Sequence, residues 1–300
     1  MSGSGMAGTS SRQIQPLTIF ATPKAFRGHF AIIQRNAIIS WTRLRPKADV
    51  ILMGNDPGTA EIARELGLRH ICDVARNRSG TPRLDDLFAK AEGAVSEGLL
   101  CYVNADIMLM DDFTRAVRRV ASLSPLLMIG RRWDMDITTP WDFEPSDWQE
   151  RLQASARTQG VRRGAAAVDY FVFSRGLGCN LLPFALGRTL WDNWLILNAR
   201  KHGATIVDAS EVVIAVHQNH DYSHHPGGIA GALSGEEAEE NRRLIGDTRL
   251  LTLDDVSHRL TADAIKPSYR RVWLAARYIW RQPRAFVKAL ARSAAERFGS

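Results

Sequence analysis

The sequence has few cysteines and no long apolar run. Its three cysteines, Cys72, Cys101 and Cys179, lie far apart and form no CxxC pair. This argues against a cysteine-rich zinc module or a disulfide scaffold, and it favours a reducing compartment. Because no apolar run reaches about 18 residues, no transmembrane helix is predicted.

Motifs of several common enzyme classes are also missing. The sequence contains neither G-x-x-x-x-G-K-[ST] nor G-x-S-x-G. These absences argue against a P-loop NTPase and an α/β-hydrolase, respectively. The first residues are rich in Gly and Ser and lack the apolar segment of a signal peptide. We therefore expect residues 1–14 to be a flexible leader outside the folded domain.

Positive charge is concentrated at one end of the chain. The net charge is +7, yet residues 266–300 contain nine Lys and Arg and a single acid, so the remainder carries −1. A nucleic-acid-binding domain needs a basic face of its own, and this total does not supply one. We therefore expect no nucleic-acid partner.

The basic segment has a helical pattern with a break near Pro283. On a helix its apolar residues project broadly away from one narrow arc of cations, formed by Arg270, Arg277, Arg281, Arg284, Lys288 and Arg292. This pattern is typical of a helix lying in the plane of an anionic membrane. It predicts a basic amphipathic helical tail over 266–300, and a cytoplasmic protein peripheral to the inner face of the membrane. A helix pair packed on the folded domain, with its cations in water, is the alternative.

Short apolar runs alternate with helical patterns along the rest of the chain. The runs are apolar on both faces, which favours a mostly parallel sheet covered by helices, an α/β fold. Residues 131–148 look like a long loop, and residues 226–265 like a loop followed by a short helix. The predicted strands cover 17–22, 50–53, 70–72, 99–103, 126–129, 167–173, 204–207 and 212–216.

The most informative stretch follows the predicted strand 99–103. Asn104, Ala105 and Asp106 come directly after it. The carboxyl end of a central parallel strand is where α/β sheets bind ligands, and a carboxylate there is costly unless something supplies positive charge. Mg²⁺ or Mn²⁺ would do so. A helix cap or a turn Asp is the alternative.

The order of motifs from about residue 17 to 220 resembles nucleotide-sugar glycosyltransferases of the GT-A fold. Residues 18–24 look like the first strand and the nucleotide loop of that family, which implies donor contacts from Thr22 and Lys24. Asn104-Ala105-Asp106 occupies the place of its D-x-D motif. Asp106 would then contact the metal, while Asn104, standing where the family has Asp, would bind a sugar or ribose hydroxyl. The resemblance implies a Rossmann-type catalytic domain over 15–225.

A histidine cluster follows the last of these strands. Four of the eight histidines fall within 217–225, and imidazole is a common metal ligand. The family resemblance implies that a histidine here completes the metal shell. His217 and His220 both match that position. A polar loop with incidental histidines is the alternative.

Further candidates follow from the pattern around other acids and arginines. Asp192, in the first turn of a predicted helix, matches the acid of the family that faces the acceptor and would be the catalytic base. Stabilisation by the helix dipole is an equal explanation for it. Asp169, an acid inside a strand pattern, would bind donor or acceptor sugar. Arg78 and Arg83, before a predicted helix, suit the donor phosphates.

Together these features predict a metal-dependent glycosyltransferase. The donor would be a nucleotide sugar, a UDP-sugar first of all, with Mn²⁺ or Mg²⁺ as cofactor. The acceptor would be a hydroxyl of a glycan or lipid-linked molecule, as in polysaccharide biosynthesis. Two alternatives stay open: a nucleotidyltransferase of related fold, and a non-catalytic scaffold at the membrane surface. The sequence gives no indication of the oligomeric state.

Overall fold

The structure is a computed structural model that describes residues 15–221 and 233–269. The expected leader and the predicted membrane helix from residue 270 onward lie outside these residues, as does the segment that contains His224 and His225. Within the described ranges, none of the helices has the length and apolar character needed to cross a membrane.

Twelve strands and seven α-helices make up the described chain. The strands are β1 Leu17–Ala21, β2 Asp49–Met53, β3 Arg69–Ile71, β4 Leu99–Val103, β5 Ile107–Met108, β6 Leu126–Met135, β7 Val161–Arg162, β8 Val168–Ser174, β9 Thr205–Asp208, β10 Ala215–Gln218, β11 His258–Leu260 and β12 Ile265–Pro267. The helices are α1 Gly28–Thr42, α2 Thr59–Glu65, α3 Leu84–Gly93, α4 Asp111–Val120, α5 Trp148–Gln159, α6 Trp191–Lys201 and α7 Glu236–Ile245.

Nine strands form the main sheet, in the order β12-β11-β9-β6-β8-β4-β1-β2-β3. All of them run in one direction except β8 and β12, which are antiparallel to their neighbours. The prediction of a mostly parallel sheet flanked by helices is confirmed. Because β8 runs backwards between β4 and β6, its first residues lie at the same edge as the last residues of those two strands.

The central strands β1, β4 and β8 are buried on both faces, as their apolar composition predicts. In β4, Leu99, Cys101 and Val103 face α1, α2 and α4, whereas Leu100 and Tyr102 face α3 and α6. This alternation follows from the two-residue period of a strand. Each face thus has its own helix layer, and the polar side chains that could do chemistry are left to the edges of the sheet.

The second half of β6 leaves the main sheet. It pairs with β7 and β10 in a small sheet that also includes β5 and is backed by α5. The register shifts between Ile129 and Arg131. At Gly130 an added Cβ would lie 2.1 Å from the hydroxyl oxygen of the buried Tyr170, so only glycine fits where the strand changes sheets.

The structure differs from the sequence prediction in several segments. Residues 131–135 continue β6 instead of starting a loop, because the small sheet gives them partners. β10 begins at Ala215, later than predicted, so His217 lies within a strand rather than after one. Residues 258–260 and 265–267, predicted as loop and the beginning of the tail, are β11 and β12 and extend the main sheet beyond β9.

Candidate active site

Three potential metal ligands converge at the carboxyl edge of the sheet. Asp106 follows β4, His217 lies in β10, and His220 follows β10. Asp106 Oδ2 is 3.1 Å from His220 Nε2 and 3.8 Å from His217 Nε2. One ligand atom from each residue can be chosen so that all three lie within 4.8 Å of one another. Such a separation suits three donors around one ion.

The hydrogen bonding of Asp106 favours a cation at this point. Its Oδ1 is buried and has no hydrogen-bond partner among the described residues. A buried acceptor without a partner is costly in an isolated protein and calls for an explanation. Carboxylate oxygen and imidazole nitrogen together form a donor set that Mn²⁺ and related divalent ions accept. The residues present therefore fit a divalent metal.

The charges around Asp106 keep it ionised. Burial by itself would raise the pKa of its carboxyl, but His217, His220 and Lys24 together hold that pKa well below its usual range. His217 responds in the opposite sense: burial lowers its pKa, but the charge of Asp106 and the interaction with Asp134 together more than offset this, so the pKa is raised. The cluster is thus built around a negative carboxylate.

Lys24 lies beside this cluster and is held through its backbone. Its N–H donates to Gln34 Oε1 at 2.6 Å, and its carbonyl accepts from Gln34 Nε2 at 2.9 Å. The ammonium sits 4.8 Å from the ring centroid of Phe30. Burial lowers the pKa of Lys24 to about 8. Lys24, Phe30 and His220 line an open cleft of about 920 Å³, large enough for a small ligand.

Thr22 follows β1 directly and faces the end of β2. Its Oγ1 is buried and has no hydrogen-bond partner in residues 15–221 and 233–269. A Cβ added to Gly54, after β2, would lie 3.1 Å from that oxygen. The two strand ends therefore approach closely, and Thr22 presents a polar group that a ligand could satisfy.

Asn104 and Asp169 meet where β4 ends and β8 begins. Asn104 Nδ2 donates to Asp169 Oδ1 at 2.7 Å, and Tyr102 Oη donates to Asn104 Oδ1 at 3.0 Å. Arg132 Nη1 donates to both carboxylate oxygens of Asp169, at 3.0 and 2.8 Å. The predicted pair of site residues is thus brought together, and an arginine from β6 neutralises the buried acid.

Two members of the site were missed in the sequence. Arg132 and Asp134 lie on the far half of β6, which was predicted to be a loop. Arg132 Nε donates to Asp134 Oδ1 at 2.8 Å, and His217 Nδ1 lies 3.2 Å from the same oxygen. The run of charged residues was visible in the sequence, but its pairing with β10 was not.

Asp192 lies in the first turn of α6 and is half-buried. Its Oδ1 accepts the Asn193 N–H at 2.9 Å. Trp191 fixes the start of the helix by packing on Tyr102, with ring centroids 5.5 Å apart. Leu190, just before it, has φ of 81°, an unfavourable conformation for a branched side chain. Burial raises the pKa of Asp192 to about 6, and the charge of nearby Asp169 adds to the effect.

The remaining candidates are engaged elsewhere. Arg78 pairs with Glu236 of α7 at 2.9 Å, and both side chains are exposed. Arg83 pairs with Asp85 at 2.5 Å in the first turn of α3. The structure therefore does not bring these two arginines into the cluster around Asp106.

Of the known proteins compared with this chain, only solved structures show similarity to it. No protein-family profile matches the sequence, and no curated protein matches it. Two crystal structures of glucosyl-3-phosphoglycerate synthase from Mycobacterium tuberculosis are each 14% identical, covering 86% of this chain and 91% of that one. One holds Mn²⁺, UDP-glucose and phosphoglyceric acid (TM-score 0.46), and the other Mn²⁺, UDP and phosphoglyceric acid (0.45).

A mannosyltransferase from Pyrobaculum calidifontis, in complex with GDP-Man and Mn²⁺, is also similar. It is 15% identical, with a TM-score of 0.43, over 69% of this chain and 57% of that one. The likenesses are distant and assign no activity to this chain.

Proposed function

We propose that this chain is a metal-dependent glycosyltransferase that moves a sugar from a nucleotide-sugar donor to a hydroxyl of a glycan or lipid-linked acceptor. The observation that carries the proposal is the convergence of Asp106, His217 and His220 at the carboxyl edge of the sheet. The Oδ1 atom of Asp106 is buried and has no hydrogen-bond partner among the described residues. A scaffold protein has no need of a buried carboxylate oxygen left without a hydrogen-bond partner.

Asp106, His217 and His220 would hold Mn²⁺ or Mg²⁺. When bound, the ion supplies positive charge that stabilises a departing nucleoside diphosphate. Lys24, beside Asp106 and lining the cleft, would add a second positive charge for the diphosphate. Thr22, at the end of β1, would donate a hydrogen bond to the nucleotide.

Asn104 and Asp169 would orient the sugar. Asn104 follows β4 two residues before Asp106, and Asp169 lies at the start of the neighbouring strand β8. Arg132 already holds the Asp169 carboxylate in place through two hydrogen bonds. A carboxylate and an amide fixed at known positions can each bond a sugar hydroxyl. These groups would set the sugar's orientation relative to the diphosphate.

Asp192 would remove the proton from the attacking acceptor hydroxyl if the reaction inverts the configuration of the sugar. Its pKa, raised to about 6 by burial, is close to neutral, where a general base is most effective. In a retaining reaction the same carboxylate would instead position donor or acceptor. The charges of Asp169 and Arg132 both act on the pKa of Asp192. Asp192 is therefore close to the residues that would orient the sugar.

The proposal is tested by nucleotide binding and sugar transfer. We expect a nucleoside diphosphate, UDP first, to raise the melting temperature by several degrees when Mn²⁺ is present and not when EDTA replaces it. A ligand at 100 times its Kd adds about 2.7 kcal/mol of stability. A panel of nucleotide sugars then identifies the donor by its consumption. Pyrophosphate release from a nucleoside triphosphate would indicate a nucleotidyltransferase, and no nucleotide response at all would contradict the proposal.

We further propose that residues 266–300 bind an anionic membrane from the cytoplasmic side. The support is the charge pattern of the sequence, with +8 in this segment. Each cation near such a surface contributes roughly 1 kcal/mol. A full-length variant with the six arc cations changed to Gln should no longer co-sediment with anionic vesicles at low salt, while its nucleotide binding is retained. If the unchanged protein ignores those vesicles, the membrane proposal is wrong.

A further inference from the structure

We propose that Asp134 is a positioning residue that accepts the Nδ1 proton of His217 and thereby presents His217 Nε2 toward Asp106. The inference rests on the proposed function, since it concerns a residue proposed to hold the metal. Asp134 itself does not contact the point on which Asp106, His217 and His220 converge. It contacts the imidazole ring of His217 on the Nδ1 side, away from Asp106.

The two ring nitrogens of His217 face different carboxylates. Nδ1 lies 3.2 Å from Asp134 Oδ1, whereas Nε2 lies 3.8 Å from Asp106 Oδ2. Nδ1 is buried, and the Asp134 carboxylate lies within hydrogen-bond distance of it. A neutral imidazole carries one proton, and a carboxylate behind Nδ1 draws it to that side. Nε2 is then left with its lone pair.

Strand pairing sets this contact. β6 and β10 are parallel neighbours in the small sheet, and Asp134 and His217 are directly paired residues in their register. Paired residues on neighbouring strands project to the same face of a sheet. The carboxylate therefore meets the imidazole because of the backbone arrangement, and no flexible loop has to place it there.

Two arginines hold Asp134 against His217. Arg132 Nε donates to its Oδ1 at 2.8 Å, and Arg163 Nε lies 3.3 Å from its Oδ2. Arg132 also holds Asp169, which accepts from Asn104. Arg132 thus joins the histidine side of the site to the proposed sugar side. With both oxygens engaged, Asp134 has little freedom to turn away from the imidazole.

This arrangement has a known chemical effect on metal ligands. A carboxylate that accepts the far N–H of a ligating histidine fixes its tautomer and ring orientation and raises its basicity. Loss of such a partner lowers metal affinity by about 10- to 100-fold. A purely structural ion pair between Asp134 and Arg132 would affect folding stability but not the metal affinity of the folded protein. Metal affinity therefore separates the two roles.

The test measures Mn²⁺ binding directly by isothermal titration calorimetry, on the full-length protein. Asp134→Ala should weaken Mn²⁺ binding by about 10- to 100-fold. Asp134→Asn keeps a carbonyl that can accept the Nδ1 proton and should give a smaller loss. The matched control is Asp49→Asn, which removes an acid paired with Arg69 at the amino end of β2 and should bind Mn²⁺ as the unchanged protein does. Circular dichroism establishes that each variant is folded.

A second measurement uses the unchanged protein without metal. The ¹⁵N shifts of the His217 ring, assigned by comparison with His217→Gln, report which nitrogen carries the proton in the neutral form. We expect it on Nδ1. A proton on Nε2, or a folded Asp134→Ala protein with unchanged Mn²⁺ affinity, would overturn the inference. If the unchanged protein binds no Mn²⁺ at all, the proposed function fails, and the tautomer alone then decides whether Asp134 orients His217.

Discussion

Replacing Asp192 by asparagine should lower turnover by about 10²- to 10⁴-fold, the contribution typical of a positioned general base, with little change in donor affinity. Proton removal acts in the transition state, so its loss reduces kcat and kcat/KM together. Asn is close to Asp in size and can still accept the Asn193 N–H, so the start of α6 should keep its structure. Initial rates at saturating donor, with nucleotide binding measured separately, provide the check.

The control for this variant is Asp111→Asn. Asp111 is also a first-turn acid, on α4, and its carboxylate accepts the Arg45 N–H. If the only role of a first-turn acid is to stabilise its helix, both variants should lose stability and neither should lose turnover. A collapse of donor binding in Asp192→Asn, with turnover at saturation retained, would make Asp192 a binding residue instead of a base.

The raised pKa of Asp192 gives this prediction a pH dependence. A base must be ionised to accept a proton. With a pKa of about 6, activity should rise as the pH passes through 6 and level off above it. Asp192→Asn should remove this limb from the pH profile of kcat. An unchanged limb in the variant would show that another group titrates.

Asp106→Asn should reduce metal-dependent nucleotide binding by at least about 100-fold. A bound cation contributes several kcal/mol of charge stabilisation, and each 1.4 kcal/mol is a factor of ten. The substitution removes the negative charge around which His217, His220 and Lys24 are arranged, but it preserves the size of the side chain. Thermal shift with UDP and Mn²⁺, titrated against the same protein in EDTA, measures the loss.

Asp208→Asn is the matched control for Asp106. Asp208 also ends a parallel strand at the same edge of the sheet, but its carboxylate accepts the backbone N–H of Ser210 at 2.8 Å. This substitution should lower stability and leave the Mn²⁺ dependence of nucleotide binding intact. Equal Mn²⁺ dependence in Asp106→Asn and in the unchanged protein would remove Asp106 from the metal site.

The parts of the site that follow apolar strands could be predicted from the sequence. Asp106 and Asn104 stand out in the sequence because β4 is a clear apolar run that ends just before them, and parallel strands end at a common edge. The sequence also predicts a helix with Asp192 in its first turn, and α6 has this residue there. In these cases the local sequence pattern is enough to predict where the residue lies in the fold.

The missed parts depend on contacts between distant residues. Arg132 and Asp134 belong to a strand whose second half is charged and becomes a strand through pairing with β10, about 80 residues later. Arg78 looked like a phosphate ligand, but it meets Glu236, 158 positions along the chain. No periodic pattern in the local sequence predicts either contact.

The bend at Gly130 means that a residue touching no ligand decides where Arg132 and Asp134 lie. A methyl group there would collide with the hydroxyl oxygen of Tyr170, because the fully buried tyrosine has little space to move away. An alanine scan scored by enzyme activity alone would therefore rank position 130 beside the catalytic residues. If folding stability were measured as well, the same scan would separate position 130 from the catalytic residues. Ranking residues by lost activity would thus mistake a steric requirement of the sheet for a chemical one.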